Sequence, residues 1–309
     1  MERLEFHISY KCYNNCCFCS ESGQLSKFRD LFVSREKIIA NLENFAKKGF
    51  KHITFTGGEP TYHPHCIEIL KLAKKLGYKT YLTTNGGLFS LKKFTQKALP
   101  YLDEVCFSLH GHTAKLHNFH TRNKKSFSKL AKALANIEEA KENTFGFANI
   151  VITKYNFDFL IEIIDFISRY KKIKQVLVSN FAPEGNGLSN FNELVVPLFR
   201  IKEKVGAIVD KAESQSIVAR FFGVPLCALN GYWNYSNDAY WSSRTTIEQW
   251  KTNKKIFLKK TLSYKPVRGR VKTLKCRQCL KKDICGGLFK KYYHEFGDYE
   301  LMPFSREVE

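Results

Sequence analysis

What most restricts the fold of this chain is an alternation of short apolar, strand-like runs with helical stretches over residues 5–185. Strand character over 5–11 gives way to a helix that Ser34 can cap. That helix carries Ile38, Ile39, Leu42, Phe45 and Ala46 on one face and stops at Gly49. The run 52–56 reads as a buried strand, and a helix through Ile67, Leu70, Ala73 and Leu76 ends at Gly77. Strands over 80–84 and 104–109 continue the series. Ser126 can cap a helix bearing Phe127, Leu130, Ala131, Leu134 and Ile137. A strand over 147–153, a helix with Leu160, Ile163, Ile164 and Ile167, and a strand over 175–180 complete it. Six such steps with short connections predict a parallel sheet covered by helices. Parallel strands carry functional loops at their C-terminal ends, in closed barrels and open sheets alike.

After Pro183-Glu184-Gly185-Asn186-Gly187 the rhythm breaks. A helix is expected over 193–213, then an irregular, aromatic and basic remainder. The expected division is a core domain over 1–189 and a smaller domain over 190–309. The 44% of hydrophobic residues can fill a sizeable core, which argues against disorder. No run is apolar enough to cross a bilayer, since 157–167 is interrupted by Asp158, Glu162 and Asp165. The charged N-terminus lacks the apolar stretch of a secretion signal, so a cytoplasmic protein without a membrane partner is expected.

Ten cysteines in such a chain point to metal or redox chemistry rather than disulfides. Four lie between positions 12 and 19, and three between 276 and 285. Within Cys12-Tyr13-Asn14-Asn15-Cys16-Cys17-Phe18-Cys19, the residues Cys12, Cys16 and Cys19 form C-x3-C-x2-C. Three thiolates on one short loop can hold three corners of a [4Fe–4S] cluster. The fourth iron is then open to the amino and carboxylate groups of a methionine moiety. Cys17 should point away as a spare thiol. Zinc is the alternative, although no fourth ligand lies close by. After the second strand comes Thr56-Gly57-Gly58-Glu59-Pro60, where glycines permit close backbone approach and a carboxylate can accept from an ammonium group.

The cysteine loop behind strand one, with Phe18 before its last cysteine, and the Gly-Gly-Glu-Pro turn behind strand two together resemble the radical S-adenosylmethionine superfamily. The resemblance implies an α/β fold, a partial (β/α)6 TIM-like barrel. It also implies reductive cleavage of S-adenosylmethionine to a 5′-deoxyadenosyl radical that abstracts a substrate hydrogen. Cys12, Cys16 and Cys19 would carry the catalytic cluster, and Gly57, Gly58 and Glu59 would meet the methionine amino group. Asn85, in Thr83-Thr84-Asn85-Gly86, falls where ribose contacts are placed. Ser108 and His110 would face the cofactor, and Arg122 would pair with the methionine carboxylate. Ser179-Asn180 and Pro183-Glu184-Gly185 look like the adenine-side loop.

Near the C-terminus, Cys276-Arg277-Gln278-Cys279-Leu280-Lys281-Lys282-Asp283-Ile284-Cys285-Gly286-Gly287 gives C-x2-C-x5-C-G-G, and Cys227 can complete a set of four. A four-cysteine zinc ribbon is one reading. The spacing, with Tyr292 or Tyr293 and Gly297 beyond, also resembles the auxiliary-cluster tail of the SPASM and twitch group. The full SPASM pattern has seven cysteines, so a cysteine-rich twitch-like domain with a second [4Fe–4S] cluster is the nearer match. Four thiolates would leave that cluster no iron for substrate, which favours electron transfer. His110, His112, His117 and His120 match no metal-binding spacing and read as a polar loop. Cys66 and Cys106 sit in apolar surroundings as small hydrophobes.

The formal charge of +21 admits an RNA partner, but lysine pairs such as Lys47-Lys48 and Lys171-Lys172 near helix ends read as solvated surface. The substrate expectations are, in order, a peptide modified by a maturase, a small molecule such as a sugar or antibiotic precursor oxidised by a radical dehydrogenase, and RNA. A flavodoxin or ferredoxin-like protein is the expected electron donor. A non-catalytic zinc-bound nucleic-acid module is the alternative outside enzymology, and the 57–60 turn behind the cysteine loop argues against it.

Overall fold

The computed structural model describes residues 2–253 and 255–305. Strands β1 (Arg3–Ser9), β2 (His52–Gly57), β3 (Lys79–Thr84), β4 (Glu104–Ser108), β5 (Phe145–Ile152), β6 (Ile173–Asn180) and β7 (Val218–Phe222) lie side by side and parallel. Helices α1 (Ser22–Phe28), α2 (Arg35–Lys47), α3 (Cys66–Lys75), α4 (Lys92–Ala98), α5 (Ala114–Thr121), α6 (Ser126–Glu138) and α7 (Leu160–Ile167) fall between the first six strands. The α/β partial barrel read from the sequence is therefore present.

The local rules hold where a single residue decides. The Ser34 hydroxyl accepts from Lys37 N at 3.4 Å and caps α2, and Gly49 and Gly77 take positive φ just past α2 and α3. On α7, Leu160, Ile163, Ile164 and Ile167 are fully buried, each contributing about 2 kcal/mol. Ser126 departs from expectation: it is the first residue of α6, and its hydroxyl serves Asn14 and His117 instead of capping.

Beyond residue 185 the chain is more regular than expected. Short helices α8 (Gly185–Ser189) and α9 (Phe191–Leu194) precede α10 (Leu198–Ser214). The helix expected over 193–213 is thus broken at Pro197, which cannot continue the preceding turn. The boundary expected near 190 does not separate two sheets. The strand β7, the strand β8 (Arg244–Lys251) parallel to β1, and β9 (Ile256–Ser263) antiparallel to β8 all join one nine-stranded sheet. Its order is β7-β6-β5-β4-β3-β2-β1-β8-β9.

The connection from β7 to β8 touches both sides of the opening. Asn237 N donates to Phe221 O at 2.6 Å, and Arg3 N donates to Ser243 O at 2.9 Å. A buried Asp238–Arg270 ion pair fastens the last segment to this connection. That segment holds a two-stranded ribbon of β10 (Arg270–Val271) and β11 (Leu288–Phe289), then α11 (Lys290–Phe296). Among the described residues no helix is long and apolar enough to cross a membrane.

Candidate active site

A cavity of about 570 Å³ occupies the barrel interior. Cys12, Cys16 and Cys19 line it, whereas Cys17 is buried and does not. The cysteine loop lies on β1 and is locked from several sides. Cys17 N and Asn15 N donate to the carbonyls of His120 (2.9 Å) and Thr121 (3.0 Å) at the end of α5. From α8, Asn186 N donates to Cys19 O at 2.9 Å, and the Asn186 side chain donates to Cys16 O at 2.9 Å. The Asn190 side chain reaches Cys17 O at 2.7 Å.

Two glycine sites explain how the loop seats so closely. Gly57 has φ of 129°, and a Cβ there would collide with the Ser9 carbonyl. A Cβ on Gly58 would fall 2.7 Å from Tyr10 O, whereas Gly58 N donates to Ser9 O at 2.8 Å. These glycines line the cavity and also let the turn behind β2 press against the cysteine loop.

Glu59 lies outside the cavity lining. It is fully buried, and its carboxylate accepts from Thr61 N (3.2 Å), Thr61 Oγ1 (2.7 Å), Thr84 Oγ1 (2.8 Å) and Asn85 N (2.6 Å). Burial pushes its carboxyl above the usual range, against the pull of those donors. In this arrangement Glu59 ties the end of β2 to the end of β3, and its oxygens are already used. Asn85 is thereby placed so that its side chain donates to Cys12 Sγ at 3.7 Å.

Ser108 and His110 line the cavity. His110 Nδ1 accepts from Val151 N at 3.3 Å, and its ring packs edge-on against Phe18 with centroids 4.7 Å apart. Its neighbours His117 and His120 are buried and hydrogen-bonded to Ser126 (3.0 Å) and Thr153 (2.7 Å). Burial lowers the basicity of all three rings, and that of His117 to about 3, so they are neutral packing groups. Arg122 is exposed and outside the cavity lining; it ends α5 with φ of 50° and lies beside Cys17.

The thiols themselves indicate what the loop can hold. Burial pushes Cys12 up to about 12 and Cys19 up to about 11. Cys16 is raised well above its ordinary value, first by burial and then by Cys19 and Cys12. Three such thiolates become stable only beside positive charge, which bound iron supplies. The donor set therefore fits a cluster.

Beyond the cysteine loop the lumen is mixed, with Phe147, Leu177, Phe181, Phe222 and Trp241 lining it beside polar groups. Glu5, His7, Thr54, Tyr81, Glu104, Asn149, Gln175 and Arg244 face it. Arg244 Nη1 donates to Glu5 Oε2 at 2.9 Å, and Arg244 Cζ lies 3.9 Å from the Trp241 ring centroid. Although burial opposes it, His7 and Arg244 lower the Glu5 carboxyl to about 2. Burial likewise opposes a charged His7, but Glu21 and Glu5 raise it to about 10. Sequence reading missed these residues. The signal was in Arg3-Leu4-Glu5-Phe6-His7-Ile8, whose polar alternation is foreign to a strand buried on both faces. At the far end of the chain, Cys227, Cys276, Cys279 and Cys285 line one small cavity together.

Comparison with known proteins agrees with this geometry. Residues 6–167, just over half of the chain, match the family described as the Radical SAM superfamily. An S-adenosylmethionine-dependent nucleotide dehydratase of Flammeovirga pacifica is 34% identical over 114 residues, covering 34% of this chain and 37% of that protein. A probable GTP 3′,8-cyclase of Pyrococcus horikoshii is 26% identical over 220 residues, covering 70% of this chain and 68% of that one. Matches to other such relatives span about a third to two-thirds of their length, from 35% to 64%. Streptococcus suis SuiB bound to precursor peptide SuiA shares the fold, with a TM-score of 0.60 and 20% identity over 79% of this chain and 57% of SuiB.

Proposed function

The chain belongs to the radical SAM superfamily, whose enzymes use a [4Fe–4S] cluster and S-adenosylmethionine, and on that basis we propose that it removes a hydrogen atom from a small polar molecule held in its barrel lumen. The observation that carries the substrate class is the lumen itself: carboxylates, an imidazole, an amide and a guanidinium converge in about 570 Å³. Such a surface is costly to keep dry unless a polar ligand satisfies it. The nucleotide chemistry in the names of the two curated relatives favours the same class.

Cys12, Cys16 and Cys19 would hold the catalytic cluster at the lumen mouth. With S-adenosylmethionine, a cluster bound there would supply the one-electron chemistry that makes hydrogen abstraction possible. Asn85, Ser108 and His110 border the space between the mouth and the lumen, where they can orient polar groups of the cofactor. Gly57 and Gly58 bring the turn against the loop, and Glu59 positions Asn85. The connection over 223–243 bonds to β7 through Asn237 and to β1 through Ser243.

Cys227, Cys276, Cys279 and Cys285 would hold a second cluster in a twitch-like tail. Four thiolates suit zinc or an iron–sulfur cluster alike, and the metal content of the purified protein separates them. A flavodoxin or ferredoxin-like donor in the cytoplasm would supply electrons.

A peptide substrate is the second reading, favoured by the shared fold with a peptide-bound enzyme. Reconstituted protein with S-adenosylmethionine and a strong reductant should form 5′-deoxyadenosine slowly alone. Addition of nucleotides, sugars or peptides should raise the rate, and the true substrate should transfer deuterium from its C–D bond into the product. Stimulation by peptides alone would reverse the substrate ranking. No cleavage by iron-loaded protein would refute the enzymatic reading.

A further inference from the structure

The end of the lumen near the cysteine loop contains a second group of donors that the cluster chemistry does not use. His7 on β1 projects between Glu21, just after Cys19, and Glu248 on β8. His7 Nδ1 lies 3.6 Å from Glu21 Oε2, and His7 Nε2 lies 3.9 Å from Glu248 Oε1 and 3.5 Å from Glu5 Oε1. One donor atom from each of His7, Glu21 and Glu248 falls within 4.8 Å of the others. His7 is only 6% exposed, and its Nδ1 is buried without a hydrogen-bond partner.

Acid is in excess here. Arg244 answers Glu5 at 2.9 Å. Glu248 Oε2 accepts from Trp250 Nε1 at 3.4 Å, and among the described residues its one Lys or Arg partner is Arg268 at 3.8 Å, whose side chain is 71% exposed and held by Glu184 at 2.8 Å. Among the described residues, no lysine or arginine pairs with Glu21.

We propose that His7, Glu21 and Glu248 form a site for a divalent first-row cation of the manganese, iron or zinc class, opening on the barrel lumen and separate from both cysteine sets. One imidazole with carboxylate oxygens suits such ions. Bonds of about 2.0–2.2 Å from a central ion reach donors up to roughly 4.4 Å apart, so small side-chain adjustments complete the set. Three protein donors leave positions free toward the lumen, where Glu5 Oε1 stands as a fourth oxygen. The competing occupant is a proton on His7, which would give an imidazolium held by carboxylates and no metal.

The test uses the full chain with its iron content restored and measured, titrated anaerobically with Mn2+ while the free ion is followed by its paramagnetic resonance signal. One equivalent of Mn2+ should bind. His7→Gln and Glu248→Gln should each weaken that binding by at least about tenfold, with iron content unchanged. Glu248 lies on a different strand from the cysteine loop, so its variant remains informative if His7→Gln fails to fold. No bound equivalent, or equal binding by the wild type and a folded variant, would overturn the site in favour of the protonated imidazole.

Discussion

The two cysteine loops are built in opposite ways. Around Cys12–Cys19 the backbone is held by partners more than a hundred residues away: the carbonyls of His120 and Thr121, and the side chains of Asn186 and Asn190. Around Cys276–Cys285 the hydrogen bonds are local. Cys276 N meets Thr273 O, Cys279 N meets Cys276 O, and Cys285 N meets Lys281 O. Longer links run to the next few turns of chain, from Leu280 N to Phe304 O and from Lys275 Nζ to the carbonyls of Asp298 and Tyr299, and Leu274 and Leu280 are 73% and 58% exposed. The first loop is shaped by the barrel and waits for its ligand. The second has little besides its ligand to shape it.

The strongest way to break this comparison is to empty each loop in turn. Fully reconstituted protein should carry about eight irons, and Cys12, Cys16 and Cys19 replaced together by Ala should leave about four. Cleavage of S-adenosylmethionine should vanish in that variant, whereas Cys279→Ala should keep some. Equal loss from both, with both proteins folded, would show that the loops do not divide the work. Stoichiometric zinc in place of iron would remove the second cluster altogether.

Stripping metal should separate the loops next. Metal binding to small cysteine sites contributes on the order of 10 kcal/mol to local folding. Limited proteolysis of chelator-treated protein should therefore cut within 274–285 and spare 12–19. Equal protection of both segments would contradict the difference in anchoring.

Acid should act on the first loop's support and not on the second. His117 is held neutral beneath the loop by burial, with its value lowered to about 3. The unfolded chain takes up that proton near pH 6.5 and the folded chain does not. Its contribution is therefore complete above about pH 6.5 and falls by about 1.4 kcal/mol per pH unit below it, down to about pH 3. Urea midpoints at descending pH should show this decline, and His117→Gln should make it shallower, leaving the part due to His110 and His120. The smallest effect belongs to Asn186→Ala, which removes the side-chain bonds to Asn15 and Cys16. It should cost about 1 kcal/mol in denaturation and speed iron loss from the first loop only.

Much of this was legible in the residues. The βα rhythm, the glycine stops and the C-x3-C-x2-C loop all follow from local spacing, because each rests on contacts between near neighbours. The strands β7, β8 and β9 were not legible, since Val218–Phe222 and Arg244–Lys251 acquire their identity by pairing with edges far away in sequence. Strand propensity depends strongly on such neighbours.

The same reason governs the site. Sequence alone determined that three cysteines at this spacing could share one cluster, and that Gly57 and Gly58 permit a close approach. Only the tertiary structure decided what approaches: the glycines receive the Ser9 and Tyr10 carbonyls, and Glu59 spends its oxygens on the ends of two strands. It also decided that Arg122 lies outside the cavity while His7 and Glu21 line it with Glu248 beside them. Those three stand at positions separated by up to 241 residues, and nothing in one dimension places them together.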